Sequence, residues 1–85
     1  MVLGPVIDLK ATGEKIKSYN RANHYTASYI ADCCCVHVQS VYKWYRGECV
    51  PTIDNLVILA DRYGCRIDDI IVTTGWSDEV GIGID

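Results

Sequence analysis

Three adjacent cysteines and a nearby histidine are the residues of this sequence whose types suggest chemistry: Cys33, Cys34, Cys35 and His37. Thiolates and imidazoles are preferred ligands of zinc, and exposed thiols can also act as redox switches. Adjacent side chains on a helix project about 100° apart, however, and no C-x-x-C pair supports them, so they converge poorly on one ion. We therefore interpret the cysteines chiefly as small apolar packing residues and expect no metal, with a metal site and a redox role as the alternatives.

The composition is that of one small folded domain, because 49% of the 85 residues are hydrophobic and 22% are charged. Five cysteines are an odd number, which argues against a disulfide framework and favours reduced thiols. Since no apolar run approaches the roughly 18 residues of a membrane span and no secretory signal is recognisable, we expect a cytoplasmic protein without a membrane partner. The sequence has no Gly-rich phosphate loop and no H-E-x-x-H motif, so we predict neither an enzyme nor a cofactor.

The charge is distributed unevenly around a net value of −3. Residues 1–50 carry six basic and four acidic side chains, whereas residues 51–85 carry two and seven, so the two parts sum to +2 and −5. A mildly basic side opposite an acidic one is compatible with oriented docking on a polyanion. It is a weaker footprint than that of a strongly basic DNA-binding protein.

Apolar residues at helical spacing predict five helices. Asp8 or Thr12 supplies the start signal of the first helix, Thr26 that of the second, and Pro51 and Thr52 that of the fourth, while Gly47 and Gly64 end the third and fourth. The predicted segments are 8–24, 27–34, 38–46, 53–63 and 67–72. Their expected apolar faces include Leu9, Ile16, Tyr19, Tyr29, Ile30, Cys33 or Cys34, Val41, Trp44, Tyr45, Ile53, Leu56, Leu59, Ala60, Tyr63, Ile70 and Ile71.

The two ends of the chain are apolar and lack a helical pattern. The tail "SDEVGIGID" alternates apolar with polar or glycine positions, which is the period of a strand. The other end offers "VLGPVI", so the ends are expected to pair with each other or with a copy in another subunit. We assign residues 1–74 to one domain with an N-terminal extension at 1–7, and residues 75–85 to a C-terminal extension that is a candidate oligomerisation element.

Between Gly13 and Ile71 the chain resembles the Cro and phage-repressor family of helix-turn-helix domains. The matching motifs are "GEKIKSY", "TASYIA" and "VHVQSVYKWYRG", followed by "P", "NL", "LA", "YG" and "DDII" at the later spacings. The resemblance implies an all-α fold, a compact five-helix lambda-repressor-like domain. It also places Cys34 where the family usually has leucine and Cys35 where it usually has the turn glycine. A non-glycine residue in a left-handed turn costs about 1 kcal/mol, so this turn is expected to be strained or reshaped.

The resemblance further implies a function. It predicts a sequence-specific transcriptional regulator of bacterial or phage type, a repressor, that binds double-stranded DNA as a homodimer with helix 38–46 in the major groove. The alternative is that the same fold serves as a protein-interaction or antitoxin-like module with weak or no DNA binding. The acidic net charge, the apolar side chains Val38 and Tyr42 on the outward side of helix 38–46, and the apolar ends of the chain favour that alternative.

The outward side of helix 38–46 supplies the candidate base contacts. Gln39 can pair with adenine, Val38 can pack on a thymine methyl group, and Lys43 can reach guanine or a phosphate. His37 is interpreted mainly as a substitute helix cap, with a phosphate contact as the alternative. The other expected contacts to the DNA backbone are Thr26, Ala27, Ser28, Tyr42 and Arg46.

Overall fold

The computed structural model describes residues 6–74, and within them all five predicted helices are present. A two-residue strand lies at each end of this range. The elements in chain order are β1 (Val6–Ile7), α1 (Leu9–Ala22), α2 (Ala27–Cys34), α3 (Val38–Arg46), α4 (Ile53–Tyr63), α5 (Ile67–Ile70) and β2 (Thr73–Thr74). No helix of this part of the chain is long and apolar enough to cross a membrane.

Three helices begin where a capping side chain is available. The side-chain oxygens of Asp8, Thr26 and Thr52 each accept a hydrogen bond from the backbone N–H three residues later, at 2.9, 3.0 and 3.3 Å. Such a bond satisfies one of the N–H groups that the first turn leaves free. Asp8 rather than Thr12 is therefore the start signal of α1, and Thr12 is buried inside it.

The helix ends adopt the left-handed conformation that the glycines predict. Gly47 and Gly64 have φ of 78° and 70° at the ends of α3 and α4. Cys35 ends α2 with φ 56° and ψ 46°, so the turn keeps the usual left-handed geometry although no glycine occupies it. The expected strain is therefore present at this one cysteine, at a cost of about 1 kcal/mol.

The core is a single apolar cluster to which every helix contributes. Its buried members are Ile16, Ile30, Ala31, Cys34, Val41, Trp44, Leu56, Leu59, Ala60 and Ile70. The prediction that Trp44 is a core residue is confirmed, since it is 3% exposed. Three predicted core residues are wrong: Leu9 is 38%, Tyr29 39% and Ile53 69% exposed. Leu9 and Ile53 each occupy the first position of a helix.

The last predicted helix is shorter than its sequence pattern. It ends at Ile70, and Ile71 is already extended, with φ −78° and ψ 128°. The cause is a contact with the start of α1, because the Val72 N–H donates to Thr12 Oγ1 at 2.9 Å and the Val72 carbonyl accepts from the Asp8 N–H at 2.8 Å. The chain must leave the helix to make both bonds.

The two ends of the described chain pair with each other, as predicted, in an antiparallel ladder that sets Val6 opposite Thr74 and Ile7 opposite Thr73. The partner of the N-terminal strand is therefore the segment that directly follows α5. The apolar tail 75–85, which was expected to supply a strand, lies outside the described residues.

Candidate nucleic-acid interface

The segment 35–37 connects α2 to α3 through a turn closed by backbone hydrogen bonds. The Val36 N–H donates to the Ala31 carbonyl at 3.0 Å, and the Cys35 N–H donates to the backbone carbonyl of Asp32 at 3.2 Å. These bonds satisfy carbonyls at the end of α2 and fix the direction in which α3 leaves it. The two helices and this turn form a helix-turn-helix.

Helix α3 has one buried and one exposed side. Val41 and Trp44 are 0% and 3% exposed, while Gln39 and Lys43 face solvent as predicted. Val38 was predicted to point outward, but it is half-buried and packs against the core, so less of it is available to a thymine methyl group. The exposed side of α3 therefore offers the amide of Gln39 and the ammonium of Lys43, with Tyr42 and Arg46 exposed beside them.

The position of α3 is set by its close contact with α1. A Cβ at Gly13 would lie 1.9 Å from the Trp44 carbonyl oxygen, and a Cβ at Gly47 would lie 2.8 Å from Lys10 Cα. Any side chain at Gly13 would force the two backbones apart. These two glycines allow α1 to approach the C-terminal part of α3 closely.

The start of α2 lies just before the turn and carries three predicted phosphate contacts. Thr26 and Ser28 are exposed and Ala27 is half-buried. The Thr26 oxygen already accepts from the Tyr29 N–H, which leaves its O–H proton free to donate. The N–H groups of Ala27 and Ser28 belong to the first turn and have no acceptor within the helix. All three predicted residues can therefore donate to one anion.

Two further predicted contacts lie at the ends of α3. Arg46 donates from Nε to Glu48 Oε2 at 2.5 Å, and this bond raises the pKa of Arg46 and lowers that of Glu48. A phosphate would have to compete with this carboxylate. His37 occupies the N-cap position, but its side chain makes no capping hydrogen bond, so it caps by position only and its exposed imidazole stays available.

Tyr42, the remaining predicted contact, is 41% exposed and touches a second tyrosine of α3. Its ring centroid lies 6.0 Å from that of Tyr45, edge to face. Lys17 of α1 lies over the Tyr45 ring, with its Nζ 5.8 Å from the centroid of that ring. The tyrosines of α3 are therefore bordered by a cation of another helix.

The cations of α1 are functional candidates that the sequence reasoning missed. Lys10, Lys17 and Arg21 are exposed and recur at helical spacing, which aligns them along the side of α1 next to α3. Burial is the main cause that raises the pKa of Tyr45 on α3, and the hydrogen bond from Asn20 and the charge of Arg21 act against it. The helical spacing of these cations is visible in the sequence. It indicates a DNA contact only once α3 is known to pack beside them.

The cysteines have three different surroundings. Cys34 is buried, and burial raises the pKa of its thiol to about 11, whereas Cys33 is half-buried and Cys35 is exposed. The packing interpretation is thus confirmed for Cys34 and wrong for Cys35, which lies in the left-handed turn and is exposed to solvent. Within residues 6–74 no group of three His, Cys, Asp or Glu side chains is placed to hold a metal ion.

The sequence matches a known family over more than half of its length. The profile of the helix-turn-helix family HTH_3 covers residues 16–70, and the chain belongs to this family. This match confirms the resemblance to Cro and phage-repressor domains. A comparison with curated proteins found no match.

Solved structures share the fold. The controller protein C.AhdI from Aeromonas hydrophila aligns with TM-score 0.67 and 17% identity over 74% of this chain and 96% of its own. The P22 c2 repressor, solved with a synthetic operator, aligns with TM-score 0.65 and 22% identity over 69% and 89%. The SOS-response repressor LexA from Eubacterium rectale aligns with TM-score 0.70 and 25% identity over 76% and 69%. The lambda-repressor-like fold is confirmed.

Proposed function

We propose that this protein is a sequence-specific DNA-binding transcriptional regulator, and that α3 enters the major groove to recognise the bases. The observation that carries the proposal is the exposed amide and ammonium of Gln39 and Lys43 on α3, next to free donors at the start of α2. This combination offers base recognition and phosphate anchoring on adjacent elements. Membership of the helix-turn-helix family supports it.

The proposed contacts divide into two kinds. Gln39 accepts from and donates to an adenine edge, which specifies sequence, and Lys43 reaches guanine or a nearby phosphate. The donors of Thr26, Ala27 and Ser28 hold one phosphate and so position the domain. Lys17, Arg21 and Arg46 add charge along the DNA backbone.

We further propose a cytoplasmic repressor that acts as a homodimer. One small module buries limited surface on DNA, and two copies on half-sites about 34 Å apart would double the contacts. The P22 c2 protein is a repressor solved with an operator, and LexA is a transcriptional repressor, which favours repression over activation. Access to a genome requires a cytoplasmic location in a bacterial or phage-infected cell. Neither an enzymatic activity nor a cofactor is part of this proposal.

The alternative function is a protein-interaction module of antitoxin-like type. The specific observation in its favour is an exposed apolar pair one turn apart on α4, Ile53 at 69% and Val57 at 53% exposure. The net charge of −3 also lowers the attraction to any polyanion.

Selection of bound duplexes from a random DNA library tests the regulator against the module. The regulator predicts that one sequence is enriched and that its affinity falls steeply as salt rises, because phosphate contacts release counterions. Lys17→Ala should then weaken all duplexes, while Lys15→Ala, an exposed cation on the far side of α1, should leave them unchanged. No enrichment, with no salt-dependent binding, would favour the module.

A further inference from the structure

A buried amide joins three helices at one point. Asn20 of α1 is 2% exposed, its Nδ2 donates to Tyr45 Oη at 2.7 Å, and its Oδ1 accepts from Tyr63 Oη at 2.6 Å. Tyr45 belongs to α3 and Tyr63 to α4. A buried amide is costly unless its donor and acceptor are both used, and here both are.

The branch to α3 leads to the exposed side of that helix. The Tyr45 ring carries Lys17 on its face at 5.8 Å and meets the edge-on ring of Tyr42 at 6.0 Å. Tyr45 therefore connects the buried amide of Asn20, through its hydroxyl, to Tyr42 and Lys17, through its ring. The branch to α4 ends in a group of tyrosine rings, because Tyr63 stacks on Tyr19 and lies near Tyr25, and neither of these rings belongs to α3.

Helix α1 contacts α3 in two ways, through the close backbone approach at Gly13 and through the hydrogen bond from Asn20 to Tyr45, and the two contacts constrain the orientation of α3 differently. The approach of Gly13 to the Trp44 carbonyl brings the backbones together, and Val41 and Trp44 pack α3 into the core, but these are contacts of shape without a directional polar partner. The Asn20 to Tyr45 hydrogen bond is directional, and a small rotation would lengthen it. Satisfied buried polar networks select one arrangement among the several that an apolar contact permits.

From this geometry we propose that Asn20 is a positioning residue, which holds α3 through Tyr45 in the one orientation that aligns its exposed side chains with base edges. The inference rests on the proposed function, since it concerns how α3 meets DNA. It assigns sequence discrimination partly to a residue that touches no DNA. Tyr63 completes the satisfaction of the amide without orienting α3.

The two tyrosines offer a matched test, because Tyr45→Phe and Tyr63→Phe each remove one hydroxyl from the same amide. Discrimination is measured as the ratio of affinities for the selected duplex and for one with a substituted base pair. Tyr45→Phe should lower this ratio about tenfold, within the range that one lost bidentate base contact costs, and Tyr63→Phe should change it less than twofold. Tyr25→Phe removes a hydroxyl bonded to the Arg62 carbonyl, away from α3, and serves as the control.

Other outcomes overturn the inference. An equal loss in both tyrosine variants would assign the network to stability alone, and an equal loss on every duplex in Tyr45→Phe would make its hydroxyl a DNA contact. Amide hydrogen exchange supplies a readout that needs no DNA: protection in α3 should fall in Tyr45→Phe and stay in Tyr63→Phe. If wild type binds no DNA, the proposed function fails while this exchange pattern still decides the role of Asn20, and equal protection in both variants would contradict it.

Discussion

At the residue scale, Cys35 is one of two described non-glycine residues, with His24, whose backbone is in the left-handed region. It holds a left-handed conformation, with φ 56°, that glycine adopts without a steric penalty. Gly47 and Gly64 fill the corresponding positions after α3 and α4. An exposed cysteine at this turn contributes strain without burying its side chain.

We therefore expect Cys35→Gly to stabilise the protein by up to about 1 kcal/mol, because the left-handed strain that it relieves exceeds the freedom that glycine adds to the unfolded chain. Urea denaturation under reducing conditions measures the change. Cys49→Gly, at another exposed cysteine whose φ is not positive, should instead be neutral or slightly destabilising because glycine adds freedom to the unfolded chain. A loss of stability in Cys35→Gly would mean that the thiol makes a contact worth more than the strain.

Arg46 is a predicted phosphate contact whose availability depends on a neighbouring side chain. Its guanidinium is held by Glu48, and both side chains are about half exposed, at 53% and 50%. The sequence identified Arg46 as a backbone contact but gave no sign that a carboxylate two positions later would compete for it.

Removal of Arg46 and removal of the Glu48 charge should change DNA affinity in opposite directions. Arg46→Ala should weaken binding to all sequences alike and reduce the salt slope by about one, while Glu48→Gln should strengthen it, because it frees one cation for a phosphate. Titrations at several salt concentrations measure both slopes. If neither variant shifts the affinity of any duplex, Arg46 lies away from the DNA.

At the scale of elements, local signals predicted the helices well and long-range contacts decided their ends. Thr26, Thr52 and the glycine ends are short-range features, and each was placed correctly. The end of α5 was not, because it depends on Thr12, which lies 60 positions before Val72. The same limit applies to the site: helical phase predicted the exposure of Gln39 and Lys43, but no pattern in the sequence marks Asn20 as a shared partner of two tyrosines.

Helix α4 shows why periodicity alone misplaces a core residue. Leu59 and Ile53 lie on the same predicted apolar stripe, yet Leu59 is 0% and Ile53 69% exposed. Burial depends on whether another element covers that part of the stripe. The sequence of one helix carries no information about such a neighbour.

The two positions should therefore differ sharply in stability. We expect Leu59→Ala to cost about 2–5 kcal/mol, since it leaves a cavity in the core. Ile53→Ala should cost less than about 1 kcal/mol, since it buries little surface in the single chain. Thermal or urea unfolding of dilute protein measures both. A large loss in Ile53→Ala that depends on protein concentration would show that this residue is covered in an assembly.

At the scale of the whole molecule, the charge and the size constrain how DNA can be bound. A net charge of −3 gives little attraction to a polyanion away from the specific site. Specific binding must then depend on base contacts and on association of two copies more than in a basic protein.

Residues 75–85 are our candidate for that association, because Trp76, Val80, Ile82 and Ile84 are too apolar for a solvated end. Deleting them should lower the oligomeric state in light scattering or the melting temperature. A chain of the same length with these four residues replaced by serine separates the loss of apolar surface from the loss of length. If the deletion and the serine variant both match wild type in mass and melting temperature, the extension has no packing role.

The central claim, that α3 recognises DNA bases, is tested most directly by the affinity of Gln39→Ala for the selected duplex. Fluorescence anisotropy at two salt concentrations compares it with wild type and with Ser18→Ala, a control at an exposed polar residue of α1. We predict a loss of about 5- to 150-fold on the selected duplex, equivalent to about 1–3 kcal/mol, and none on a duplex that lacks the recognised base pair. Wild-type affinity of Gln39→Ala for both duplexes would contradict the proposed orientation of α3, and an absence of DNA binding by the wild type would contradict the regulator itself.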